Sequence, residues 1–227
     1  MIQLDNPTWS ALTSTHKHFA LGSNTAKRYP ANVLPFVAFD PNATEPLDTL
    51  GDIVTNEGVC IIGDLPEIPS TWTVFKKLEC DQMVCSELIS LKQDDSIEVL
   101  KLGEEDGPAM FELINSIQPG FYKDYTANLG SYYGIRIEGK LVAMAGERLK
   151  MTGLSEVSAV CTQPDHIGKG FAAHLVSVVC KNMIAQGNTP FLHVLSTNLR
   201  AVQLYERLGF VKRRSILFCL IKINSVK

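Results

Sequence analysis

Gly168, Lys169 and Gly170 stand between Val157–Thr162, a run that suits a strand, and an apolar-periodic helical run reaching Gln186. Glycines there let the backbone turn tightly and let a ligand approach its amides. The first N–H groups of a helix have no partner within it, and they lie at the positive end of the helix dipole. A phosphate or pyrophosphate suits that place. Ala172 and Ala173 keep the first helical turn narrow, and Lys169 adds charge at the rim. A turn without a ligand explains the short G-x-G equally well. The dinucleotide fingerprint G-x-G-x-x-G is absent, because Ala173 stands three residues after Gly170. No G-K-[ST] follows, so the P-loop reading fails as well.

A second constellation begins at Asn198 and runs through Ala201 and Tyr205 to Leu208-Gly209-Phe210. Asn198 suits a helix N-cap or a donor to a ligand beside that helix. Ala201, Leu204, Tyr205 and Leu208 share one helical face. Tyr205 is either a core residue of that face or a phenol aimed back at a cleft.

Together the two segments resemble the GNAT superfamily of acyl-CoA-dependent N-acyltransferases. The family's Arg/Gln-x-x-Gly-x-Gly/Ala turn falls on Ile167-Gly168-Lys169-Gly170-Phe171-Ala172, and its Asn…Ala…Tyr-x-x-Leu-Gly-Phe element falls on Asn198, Ala201 and Tyr205–Phe210. Ile167 departs from the usual Arg or Gln. The resemblance covers roughly residues 96–227. Glu156-Val-Ser-Ala-Val-Cys-Thr162 with the Leu204–Phe210 ending looks most like the branch related to glycine N-acyltransferases.

The resemblance implies an acetyl-CoA cleft between the strands at 157–162 and 191–195. Pantetheine would pair near Val160, Cys161 and Thr162 and meet Asn198, and the pyrophosphate would sit on amides from Ile167 to Ala173. Direct attack by a primary amine would leave negative charge on a carbonyl oxygen beside the amide near Val160. Tyr205 would protonate the leaving thiolate. Glu156 is the first candidate to take the amine's proton, sharing a strand face with Ser158, Val160 and Thr162; a solvated strand end is its other reading. His193 is a second candidate or a packed strand residue. Glu147 is a third. His166 is expected to be exposed, and Lys212-Arg213-Arg214 to be a solvated strand start or a contact to the 3′-phosphate. Neither Ser158 nor Cys161 has a base and orienter suggesting a covalent acyl-enzyme. Phe121, Tyr122, Tyr132 and Tyr133 are either an aromatic wall of the acceptor pocket or core packing. A non-catalytic acyl-CoA-binding module is the rival to the enzyme.

The elements that must hold these residues are legible in the C-terminal half. The pattern is Ile97–Leu102 strand, Glu104–Ile117 helix, a Tyr133–Ile137/Leu141–Ala145 hairpin turning at Gly139, Val157–Thr162 strand, and helix to Gln186. It continues with Phe191–Leu195 strand, Asn198–Leu208 helix and a final strand over Phe210–Ile223. A mixed, mostly antiparallel α/β (α+β) sheet with helices on both faces is expected. The polar stretch Gln93–Ser96 suggests two domains, 1–95 and 96–227. The first contains a helix over Pro7–Leu21 and strands at Phe36–Phe39, Val59–Ile62, Trp72–Leu78 and Gln82–Cys85. It is expected to support the other domain, cover the cleft or pair with a second copy as a homodimer, and it reads alternatively as a degenerate copy of the same fold.

The 227 residues carry a net charge of -3, which gives no reason to expect nucleic acid or an anionic membrane as partner. The longest apolar run, Ile216–Ile221, is too short to span a bilayer. Six cysteines without a CxxC pair suggest reduced core thiols, a cytoplasmic location and no metal.

Overall fold

The structure, a computed structural model, describes residues 1–43, 58–90 and 96–224. Helix α1 (Pro7–Leu12) is capped by Asn6, whose side chain accepts from the Trp9 N–H at 3.2 Å. It stops well before Leu21 because hydroxyls take over the carbonyls of its last turn. Thr13 Oγ1 donates to Trp9 O at 2.7 Å, and Ser14 Oγ donates to Ser10 O at 2.5 Å. A small sheet of β1 (Leu21–Gly22), β2 (Ala26–Arg28) and β3 (Val37–Phe39) follows.

The remaining strands form one eight-stranded sheet: β4 (Val59–Ile62), β5 (Trp72–Val84), β6 (Leu100–Leu102), β7 (Tyr132–Ile137), β8 (Lys140–Met151), β9 (Leu154–Thr162), β10 (Thr189–Leu195) and β11 (Val211–Ile223). Their spatial order is β4-β11-β5-β10-β9-β8-β7-β6. Every neighbour pair is antiparallel except β9 with β10. The expected mixed, mostly antiparallel sheet is therefore observed.

Besides the shorter α1 and a first C-terminal-half strand that begins at Leu100 and not Ile97, two expectations change. β5 is continuous where two strands with a gap at Glu79–Asp81 were expected. Asp81 looks like a strand breaker, but Lys212 Nζ at 2.7 Å and Ser196 Oγ at 2.6 Å satisfy its carboxylate from the flanking elements. Secondly, β4 and β5 come from the first 95 residues, yet β5 lies between β10 and β11. The N-terminal half thus shares its sheet with the C-terminal half. Gln93, Asp94 and Asp95 of the expected divide lie outside the described residues.

Helix α3 (Phe171–Ala185) buries Leu175, Val176, Val179, Cys180 and Met183 fully, as a helical stripe must when it covers a sheet face. It shares this core with Tyr205 and Leu208 from α4 (Leu199–Arg207) and its C-cap. Helix α1 and helix α2 (Gly107–Ile117) feed the other apolar clusters, which contain Phe191, Phe218, Met144 and Cys161. All six cysteines are buried and free. No described helix is long and apolar enough to cross a membrane, and no described group of side chains is arranged to hold a metal.

Candidate active site

β9 and β10 pair in parallel only at Thr189↔Leu154, Pro190↔Ser155 and Phe191↔Glu156. Beyond Glu156 they part, and β10 goes on pairing with β5 as far as Leu195. The strand edges freed in this way open a cleft of about 940 Å³. At the fork β9 is irregular. Ala159 has φ +52°, and the pairing with β8 shifts between Gly146↔Ser158 and Met144↔Cys161. A left-handed, β-bulged residue re-aims the amides beside it and ends regular pairing. It also breaks the two-residue alternation that put Glu156 on one face with Val160 and Thr162.

Val160, Cys161 and Thr162 line the cleft, as do Ile167, Gly168, Gly170, Phe171, Ala172 and Ala173 at the turn. Gly168 and Gly170 have φ of +91° and +80°, and a Cβ at either would meet nothing within 4 Å. The glycines are thus needed for backbone conformation, and the space over them is open. The first helical hydrogen bond of α3 runs from His174 N to Gly170 O at 3.1 Å, so the amides of Phe171, Ala172 and Ala173 precede the ladder. Ile167 is 48% exposed beside them. Lys169 is not in the wall; its ammonium lies 3.1 Å from Nδ1 of His166. His166 is half-buried, lines the cleft and stacks on Phe171.

On the other arm, Asn198 caps α4 by accepting from the Ala201 N–H at 3.2 Å. Its two expected roles are compatible, because the cap uses Oδ1 and leaves the amide N–H₂ at the cleft. Ala201 and Tyr205 also line the cleft. Burial pushes the Tyr205 phenol well above its usual range, so it keeps its proton. Thr162 Oγ1 and the Tyr122 hydroxyl are buried in the wall without a protein partner.

The closed end of the cleft holds a charged network. Arg148 grips Glu156 with both arms, Nε to Oε2 at 2.9 Å and Nη2 to Oε1 at 2.6 Å. Leu149 N–H adds a contact at 3.3 Å, and His193 Nδ1 lies 2.7 Å from Oε1. Burial alone would raise the Glu156 pKa, but Arg148 and then His193 outweigh it and pull it down to about 2. Glu156 is wholly buried and absent from the wall, so it is neither a solvated strand end nor a free base.

His193 does line the cleft. Its Nε2 lies 2.9 Å from Gln82 Nε2, which also donates to Leu4 O at 2.8 Å, while Gln82 Oε1 accepts from Arg213 at 2.8 Å. Only one assignment satisfies every partner: His193 donates from Nδ1 to Glu156 and accepts at Nε2 from Gln82. Both ring nitrogens are thereby engaged. Arg148 stacks over Phe36 at 5.0 Å and Phe218 at 6.0 Å, filling this end with flat, rigid groups.

Glu147 is also buried, held by Ser131 N–H, Lys150 and Ser155, and lies outside the cleft wall. Lys212, Arg213 and Arg214 open β11 at the solvent as expected, Lys212 exposed and the two arginines half-buried; they form ion pairs with Asp81, Asp5 and Asp64, and none of them lines the cleft. The cations in the wall are instead Arg148, Arg200 and Arg207 with Lys76, and sequence reasoning missed all four. The helical spacing of Arg200 and Arg207 from Asn198 was the available signal. Burial pushes the Cys161 thiol up to about 12, which leaves it too little thiolate to act as a nucleophile. Phe121 and Tyr122 are wall residues, while Tyr132 packs edge-on against Tyr122 at 6.0 Å and Tyr133 lies outside the wall.

The FR47-like protein family model matches residues 132–219. No curated protein matches the chain significantly. A solved structure of a GNAT-family protein from Novosphingobium aromaticivorans DSM 12444 is 33% identical, covering 98% of this chain and 99% of that one with a TM-score of 0.88. A GCN5-related N-acetyltransferase from Kribbella flavida shares the fold at 15% identity, with 96% and 93% coverage and a TM-score of 0.64. A GCN5-related N-acetyltransferase-like protein from Streptococcus suis 89/1591 does so at 13%, with 98% and 96% coverage and a TM-score of 0.61. A parted β9–β10 pair, a glycine turn at its mouth and 33% identity from end to end with the Novosphingobium protein place this chain in the GNAT family.

Proposed function

We propose that the protein is an N-acetyltransferase that moves an acetyl group from acetyl-CoA to a primary amine within a ternary complex. The observation that carries this reading is the parting of β9 and β10 after Phe191↔Glu156, with the left-handed Ala159 at the fork. The segment Glu156–Thr162 with Leu204–Phe210 supports placement near the glycine N-acyltransferase-related branch.

The residues present fit acetyl-CoA. The open space over Gly168 and Gly170 and the unladdered amides after them suit a pyrophosphate. The freed edge at Val160–Thr162, the unpartnered Thr162 hydroxyl and the spare Asn198 amide suit pantetheine. Acetyl-CoA supplies the acetyl group as a thioester, whose C–S bond breaks as the amine forms the C–N bond.

The amide near Val160 stabilises the charge that develops on the carbonyl oxygen. Tyr205, kept protonated by burial, gives its proton to the departing sulfur, and the proton shed by the nitrogen as it becomes the amide restores the phenol. Of the three candidate bases, Glu147 lies outside the cleft wall, and Glu156 and His193 act as positioning groups. Glu156 is already ionised and gripped by Arg148, and His193 has no free ring nitrogen. The amine accordingly enters as its neutral form, an outcome favoured by a cleft wall that carries Arg and Lys and no acidic side chain.

Calorimetric titration with CoA and thiol release across an amine panel test this reading. Amine-dependent thiol release is expected. CoA binding without it would point to a binding module, and no binding at millimolar CoA would sink both.

A further inference from the structure

A second, smaller cavity of about 140 Å³ adjoins the closed end of the cleft. The two share Lys76, Leu78, Pro119 and Phe121 as a common wall. Between them stands a triangle of rings: Phe36–Phe121 at 5.8 Å, Phe36–Phe218 at 6.2 Å and Phe121–Phe218 at 6.0 Å. Phe218 also touches the His193 ring, with centroids 5.2 Å apart. The smaller cavity therefore begins about one aromatic ring beyond the end of the cleft where the amine must arrive.

Its lining is of two kinds. Phe36, Phe75, Leu34 and Leu220 give an apolar body. Arg28, Lys76 and Lys123 give three cations, and no acidic side chain lines it. Among the described residues none of the three makes a side-chain ion pair, in contrast to Arg213 and Arg214. The wall is also tied down. Tyr125 N–H donates to Asn32 O at 2.9 Å, and Thr126 Oγ1 donates to Val33 O at 2.6 Å, fixing the loop that carries Lys123 to the one that follows Arg28. Three cations from separate elements, none of them ion-paired among the described residues, line one small cavity with a partly apolar wall, and their summed field favours an anion there.

We infer that this cavity is the acceptor subsite, and that it selects an amine carrying a small anionic group, carboxylate or phosphate, across a short apolar spacer. The inference rests on the acetyl-transfer reading and names its substrate class. The apolar walls take the spacer, and the cations take the anion through charge-assisted hydrogen bonds. A diamine or other polycation is excluded by the same charges.

Matched acceptors test it: 4-aminobutyrate against its amide, and O-phosphoethanolamine against ethanolamine. The anionic member of at least one pair should have a kcat/KM higher by about tenfold or more, the worth of one charge-assisted hydrogen bond. Whichever pair responds identifies the anion. Lys123→Glu should erase that preference, with acetyl-CoA KM unchanged; Lys123→Gln should weaken it and controls for misfolding by the charge reversal. Equal use of charged and neutral acceptors, or a preference that survives Lys123→Glu, overturns the inference and leaves acetyl transfer standing. If wild type does not bind CoA, acetyl transfer fails instead. Titration of the same pairs without CoA then reads the cavity directly, and a lack of discrimination there overturns it too.

Discussion

Glu156 shows how far a residue's surroundings can reverse the role its type suggests. A carboxylate at the head of a cleft strand reads as a base, but the partner that changes that reading, Arg148, sits on β8 opposite a shift in register. Spacing within one strand carries no trace of it. Because its folded pKa is depressed from 4.5 to about 2, Glu156 contributes stability above pH 4.5 that is lost as pH falls toward 2, on the order of 3 kcal/mol. Glu156→Gln should therefore lower stability by about 3–5 kcal/mol at neutral pH, since it leaves the Arg148 guanidinium buried and unpaired. It should also flatten the acid limb between pH 4.5 and 2. Denaturant melts across that range check both. The place of Tyr205, by contrast, was legible in sequence, because the Tyr-x-x-Leu-Gly-Phe register puts it on the buried face of α4; its role as acid is the proposal to be tested. Tyr205→Phe should lower kcat roughly 10²-fold with little change in acetyl-CoA KM, the signature of a group that acts only as the bond breaks.

At the scale of elements, the sequence was informative wherever one short segment does a job by itself. The glycine turn, the Asn198 cap, the Glu138–Gly139 hairpin and the stripe on α3 each follow from local chemistry. The length of α1 and the continuity of β5 were not legible. The first is decided by hydroxyls at Thr13 and Ser14, the second by Lys212 and Ser196 reaching Asp81 from elsewhere in the chain. The fork at Ala159 was equally invisible, because nothing in an alanine announces a positive φ. The turn gives the sharpest prediction. A Cβ at Gly170 meets no atom within 4 Å, so Gly170→Glu is tolerated sterically by the protein and costs only the strain of a positive φ. Its carboxylate would lie over the amides proposed to take the pyrophosphate. CoA affinity should fall below detection by calorimetry while the circular dichroism spectrum is retained; unchanged affinity would move the phosphate site elsewhere.

At the scale of the whole molecule, the active cleft is built by strands from both halves of the chain. β10 is held on one side by β9 for three residue pairs and on the other by β5 for five. β5 is thus what keeps β10 straight after β9 leaves it, and the separation of the two arms depends on a strand that precedes residue 95. The same strand pairs with β11 along its whole length, Val211↔Val84 to Ile223↔Trp72. The Gln82 that engages His193 and the Leu4 carbonyl that orients Gln82 come from the same half. A polar stretch in sequence marks a domain boundary only if few contacts cross it, and here a central strand does. A chain starting at residue 96 would expose the edges of β10 and β11 and uncover Phe191, Ile216 and Phe218, which are at most 3% exposed in the intact protein. Such a truncation is expected to be aggregated or unfolded by gel filtration and circular dichroism. Adding residues 1–95, which carry β5, in trans should restore soluble protein and CoA binding, and adding residues 1–71, which lack it, should not. A folded, CoA-binding fragment from residue 96 alone would show that the cleft does not need the strand beside β10.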